Sequence, residues 1–130
     1  MIKNYLVTGD THGRVEERLA NLPRGLDPAE TAIIILGDAG INFYLNKTDY
    51  NKKKRLQTLG YTFYLVRGNH EERPENLPTT EMIWDDTVQG NVYCEPEFPN
   101  IRYFLDGGSY IIDGLKTLVI GGAYSVDKDY

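Results

Sequence analysis

The sequence is poor in the residues that build disulfide scaffolds and membrane spans. It holds one cysteine, one tryptophan, two methionines and two histidines among 130 residues. The single thiol, Cys94, has no intrachain partner, which excludes a disulfide framework and suits a reducing compartment. No apolar run comes near the ~18 residues needed to cross a bilayer. The opening Met1-Ile2-Lys3-Asn4-Tyr5 enters a strand-like run without the apolar core and small-residue cleavage site of a secretory leader. The expectation is a cytoplasmic protein with no membrane segment. Positive charge is also scarce: 14 Lys and Arg against 19 Asp and Glu leave a formal charge of −5. Non-specific nucleic-acid binding draws on Lys and Arg that neutralise phosphates, so no nucleic-acid patch is expected. A bound cation would reverse that logic locally.

What is present is organised. Three apolar runs share one design: Tyr5 to Thr8 leads into Gly9-Asp10, Ala32 to Leu36 into Gly37-Asp38, and Tyr61 to Val66 into Gly68-Asn69-His70. Near-continuous apolar runs of this length suit strands buried on both faces of a parallel sheet. Val15, Leu19 and Leu22 mark a short amphipathic helix that Pro23 and Gly25 end, and Lys47 to Leu59 reads as a second, more polar helix. Within it, Lys52-Lys53-Lys54-Arg55 reads as a solvated face. The order β-α-β-α-β predicts an α/β fold with a right-handed parallel half.

Charge and proline from Glu71 to about Thr80 predict a linking loop. After it, short strands are expected at Ile101 to Leu105, Ser109 to Ile112 and Leu115 to Ile120, separated by Asp106-Gly107-Gly108 and Asp113-Gly114. Asp-Gly between apolar runs is a hairpin signal, so an antiparallel meander should follow the parallel half. Trp84 and most of the ten tyrosines read as core or hairpin packing, since no basic groove surrounds them. Residues 1–130 read as a single domain.

Ligands of open α/β sheets bind beyond the carboxyl ends of the strands. The first run delivers Asp10 and His12 there, the second Asp38, the third Asn69 and His70. Carboxylate, imidazole and amide oxygen make a hard-to-borderline donor set suited to Mn, Fe or Zn, and Cys94 lies in none of the motifs. Each feature alone is commonplace; three in succession at helix-sized intervals are not. A dinucleotide-binding module is disfavoured, because Gly9-Asp10-Thr11-His12-Gly13 lacks the G-x-G-x-x-G spacing and puts a carboxylate where phosphate would approach.

Asp10-Thr11-His12, Gly37-Asp38-Ala39-Gly40 and Gly68-Asn69-His70-Glu71 resemble, in order and spacing, the leading motifs of the calcineurin-like metallophosphoesterase superfamily. The flanks Ile41-Asn42-Phe43-Tyr44 and Glu72-Arg73-Pro74 look like a bacterial or phage-type branch. The resemblance implies an αββα sandwich and hydrolysis of phosphomonoesters or phosphodiesters by metal-activated water. It implies that Asp10 and His12 hold a first divalent ion, that Asp38 bridges two ions, and that Asn69 holds the second. Asp38 and His70 would be catalytic, His70 assisting departure of the leaving oxygen. Arg67 and Arg73, with Asn69, would contact phosphate. Ile41 departs from the protein-phosphatase branch, which has Asp there.

The resemblance covers the N-terminal half of a family domain. Relatives supply three further histidines, one after a later strand and two in G-H-x-H, whereas His12 and His70 are the two histidines here. The expectation is therefore a partial sandwich holding one ion or none, with an unpartnered sheet edge and exposed apolar faces. The alternative to catalysis is a non-catalytic remnant or split-domain fragment that self-associates or binds a C-terminal fragment.

Overall fold

A computed structural model of the chain describes residues 2–9, 25–37, 47–67 and 79–120. In chain order the elements are β1 (Asn4–Gly9), a one-turn 3-10 helix (Pro28–Glu30), β2 (Thr31–Leu36), α1 (Lys47–Thr58), β3 (Thr62–Val66), β4 (Glu81–Asp85), β5 (Gly90–Glu95), β6 (Phe98–Phe104), β7 (Ser109–Ile112) and β8 (Leu115–Leu118). β1 to β6 form one mixed sheet in the order β1-β2-β3-β6-β5-β4, and β7 and β8 form a separate ribbon. β1, β2, β3 and β6 run parallel, while β5 is antiparallel to both β6 and β4.

The apolar runs become central strands because both of their faces are covered. On one face, Ile33, Ile35, Phe63, Leu65, Ile101 and Tyr103 pack with Leu56 of α1. On the other, Ala32, Ile34, Tyr64, Val92 and Phe104 pack with Tyr110 and Val119 from the ribbon. Period-two alternation of side chains assigns consecutive residues of one strand to opposite cores. α1 is polar along most of its length and is anchored through two buried residues, Lys53 and Leu56. Gly60, at φ +84, follows its last turn in the left-handed conformation that terminates helices.

Lys53 corrects the reading of the basic block as a solvated face. Its ammonium is buried and lies 2.7 Å from the Glu95 carboxylate, which also accepts hydrogen bonds from Thr79 (2.7 Å) and Tyr103 (3.2 Å). A charge can be buried when paired and further hydrogen-bonded in this way. The sequence block conceals it because the three neighbours carry the same charge and a helix presents only one of them to the sheet.

The α/β architecture, with a parallel half and an antiparallel half, agrees with expectation, but the antiparallel half is assembled differently. It begins at β4 and β5, two strands not anticipated. The turn joining them has no Asp-Gly: Gln89 takes the left-handed position at φ 53, and the Asp85 carboxylate caps the Thr87 N–H at 2.9 Å. Nor does Asp106-Gly107-Gly108 make a hairpin, since β6 pairs with β3 and β5, and β7 pairs with β8. The Asp113-Gly114 turn does, with φ 51 and 78 as a type I′ turn requires. Trp84 is 57% exposed on the edge strand β4, not in the core. Its indole N–H donates to the Asp86 carboxylate at 2.8 Å. The helix expected over Val15 to Leu22 and most of the loop from Glu71 lie outside the described residues. Among the described residues no helix is long and apolar enough to cross a membrane.

Candidate active site

The parallel half sets where the motifs emerge. Gly9 of β1 is paired with Leu36 of β2, and Leu36 with Val66 of β3, so three strands end level at one edge of the sheet. At ~4.8 Å between neighbours, these ends span about 10 Å. Gly37, at φ +78, donates its N–H to Val66 O at 2.9 Å and ties the second end to the third. An L-residue with a side chain is disfavoured at that φ, which accounts for the glycine before Asp38.

Asp10, His12, Asp38, Asn69, His70 and Arg73 lie outside the described residues. Their attachment points do not. Asp10 is the residue after Gly9, Asp38 the residue after Gly37, and Asn69 the second after Arg67. What the structure fixes is the level ends of the three strands from which the motifs continue in sequence. The donor chemistry fits a divalent cation: carboxylates from two adjacent strand ends, an imidazole two residues after the first, and an amide oxygen after the third. Among the described residues no group of three His, Cys, Asp or Glu side chains is placed to hold a metal. Cys94 is buried, and burial pushes its thiol up, leaving it protonated near neutrality.

Arg67 is described, and its guanidinium is engaged. Nε and Nη2 both donate to one carboxylate oxygen of Asp106, at 3.2 and 3.0 Å. Asp106 follows β6, which runs parallel to β3, with Leu65 opposite Tyr103. A fourth parallel strand end thus brings a carboxylate to the edge where β1, β2 and β3 end. The sequence reading missed it by treating Asp106 as a hairpin-turn residue. The signal was present: an apolar run ending in Asp-Gly, much as the first two end in Gly-Asp.

A second polar cluster joins β3 and β6 to the end of β4. The Asp85 carboxylate, 1% exposed, accepts from Arg102 Nη1 at 2.6 Å and from the Tyr64 hydroxyl at 2.7 Å. Burial pushes the Tyr64 hydroxyl well above its ordinary value of 10.0, and the bond to Asp85 adds to the rise. All three groups are mutually satisfied, so the cluster reads as structural.

The sequence profile of the calcineurin-like phosphoesterase family matches residues 3–128. The chain belongs to that family, whose members are metal-dependent hydrolases of phosphate esters. Comparison with curated proteins and with solved structures gave no match.

Proposed function

We propose that this chain acts as a phosphoesterase on phosphomonoesters or phosphodiesters, with its centre at the shared end of β1, β2 and β3. The observation that supports this most directly is the level register of those ends, because a carboxylate, a second carboxylate and an amide then leave from adjacent strands. Asp10, His12 and Asp38 would hold one divalent cation of Mn, Fe or Zn type, while Asp38 and Asn69 alone supply too few donors to hold the family's second ion firmly. When bound, such a cation lowers the pKa of water and offsets charge on the phosphoryl oxygens.

The chain's own residues supply the rest. Arg67 and Arg73, with Asn69, orient the phosphoryl group, and a guanidinium fork matches its planar pairs of oxygens. Water adds to phosphorus as the bond to the leaving oxygen breaks. His70 gives the proton which that oxygen takes up, then recovers one from solvent. Asp38→Asn keeps the size of the side chain and removes its charge. In an assay of aryl phosphate hydrolysis with added Mn²⁺, this variant should lose at least about 100-fold in rate, consistent with the weight of charge stabilisation at such sites. Equal rates for the variant and the parent chain would refute the reading.

One observation favours a second reading, action through association. An apolar groove of about 470 Å³ runs between the sheet and the β7–β8 ribbon, lined by Val7, Leu36, Leu115, Leu118 and Ile120. All five are more than half exposed. Contiguous apolar surface of this kind marks interaction sites.

A further inference from the structure

We propose that Asp106 is a positioning residue for phosphate recognition, fixing the Arg67 guanidinium beside the third motif. The inference rests on the phosphoesterase reading and adds to it a residue from the fourth parallel strand. Arg67 is the last described residue before Gly68-Asn69-His70, and its side chain is 12% exposed. A guanidinium so withdrawn from water needs a fixed partner or it swings out to solvent. Asp106 is that partner, and its place is rigid. Gly108 N–H bonds to Leu105 O at 2.9 Å, Gly107 N–H to Val119 O at 2.7 Å, and Val119 N–H to Gly108 O at 2.9 Å. The turn after β6 is thereby locked to the end of the ribbon, with Gly107 at φ +77.

The geometry leaves the arginine able to work. Of five N–H donors on a guanidinium, the pair uses one on Nε and one on Nη2, both directed to a single oxygen. The Nη1 donors and the second Nη2 donor are not engaged by Asp106. The fork is held along one edge and presents the other, the arrangement by which an oriented arginine reads a phosphate with little loss of rotamer freedom. Asp106 also brings a negative charge, which opposes phosphate. It is 40% exposed, however, so solvent screens its charge while the bonds hold the geometry.

The test is calorimetric titration of inorganic phosphate into the full chain with Mn²⁺ present, with thermal melts alongside. Asp106→Ala should weaken phosphate binding roughly tenfold, the scale of one lost positioning contact. Asp106→Asn, which keeps an acceptor, should stay within about threefold of the parent. The double variant Arg67→Ala/Asp106→Ala should bind no more weakly than Arg67→Ala alone, because Asp106 acts through Arg67. Parent-like affinity in Asp106→Ala, or additive losses in the double variant, would overturn the inference. Tighter binding by Asp106→Asn would overturn it too, showing that Asp106 competes with phosphate. If Asp106→Ala does not fold, Asp106→Asn still decides between positioning and competition. A parent chain that takes up Mn²⁺ but no phosphate, or neither, would instead bring down the phosphoesterase reading, and this inference with it.

Discussion

At the scale of single residues, two charged networks hold the sheet from opposite faces. Asp85 is nearly sealed from water and is bonded to Arg102, Tyr64 and the Thr87 amide. Removing it leaves a half-buried guanidinium and a buried hydroxyl without their acceptor, so Asp85→Ala should lower stability by about 3 kcal/mol in urea denaturation. Tyr64 adds a pH dependence whose sign follows from burial. Its hydroxyl is raised above 10.0 in the folded chain, with Asp85 as the second cause. The unfolded chain therefore gives up this proton first. The stabilisation is complete below pH 10.0 and is lost as pH rises from there toward the folded value. Melting temperatures measured from pH 8 upward should fall above about 10, and Tyr64→Phe should flatten that fall. Tyr110 is shifted the same way by burial, so some slope should remain in the variant.

Among the elements, the β7–β8 ribbon depends most on a few contacts. Tyr110 is its anchor. The hydroxyl donates to Asn91 O at 2.6 Å and accepts from the Leu105 N–H at 3.0 Å, and the ring meets Phe104 at 4.5 Å between centroids. That ring lies against two glycines: a Cβ on Gly90 would stand 2.6 Å from it, and one on Gly108 2.7 Å. Gly90→Ala should therefore cost about 2 kcal/mol through overpacking. Amide hydrogen exchange should rise first in the ribbon strands, a two-stranded sheet of their own that Tyr110 and a few backbone bonds tie to the rest. If protection in β2 and β3 fell equally, the ribbon and the main sheet would form one cooperative unit. The Asp113-Gly114 turn was legible because its dipeptide satisfies the backbone need directly. The β4–β5 turn was not, since its left-handed residue is Gln89, an uncommon occupant of that conformation, and its Asp85 cap comes without the Asp-Gly pair that marks a tight hairpin.

For the molecule as a whole, the two covered faces of the main sheet differ among the described residues. α1 closes over Ile33, Phe63 and Leu65, whereas Val7 and Leu36 on the ribbon side stay exposed at 63% and 53%. Leu115, Leu118 and Ile120 face the same groove. On the association reading, this face is where a second copy would seat. Sedimentation across a hundredfold range of concentration should show mass rising with concentration, and Leu118→Lys should suppress it. A mass that stays constant for the parent chain would count against association through this groove.

The sequence by itself determined the family, because the chemistry of its motifs is local: a carboxylate, an imidazole and an amide announce themselves by type and spacing, and apolar runs announce strands. It also determined the parallel half, since helix-sized intervals between buried strands admit few connections. Only the tertiary structure decided which strand lies beside which. An apolar run such as Ile101 to Leu105 declares that it is a strand but not its partner, and pairing with β3 rather than β7 is settled by long-range packing on both faces. That choice carried Asp106 from a supposed hairpin to the edge where Arg67 waits, and it buried Lys53 against Glu95 within a block of otherwise equivalent charges.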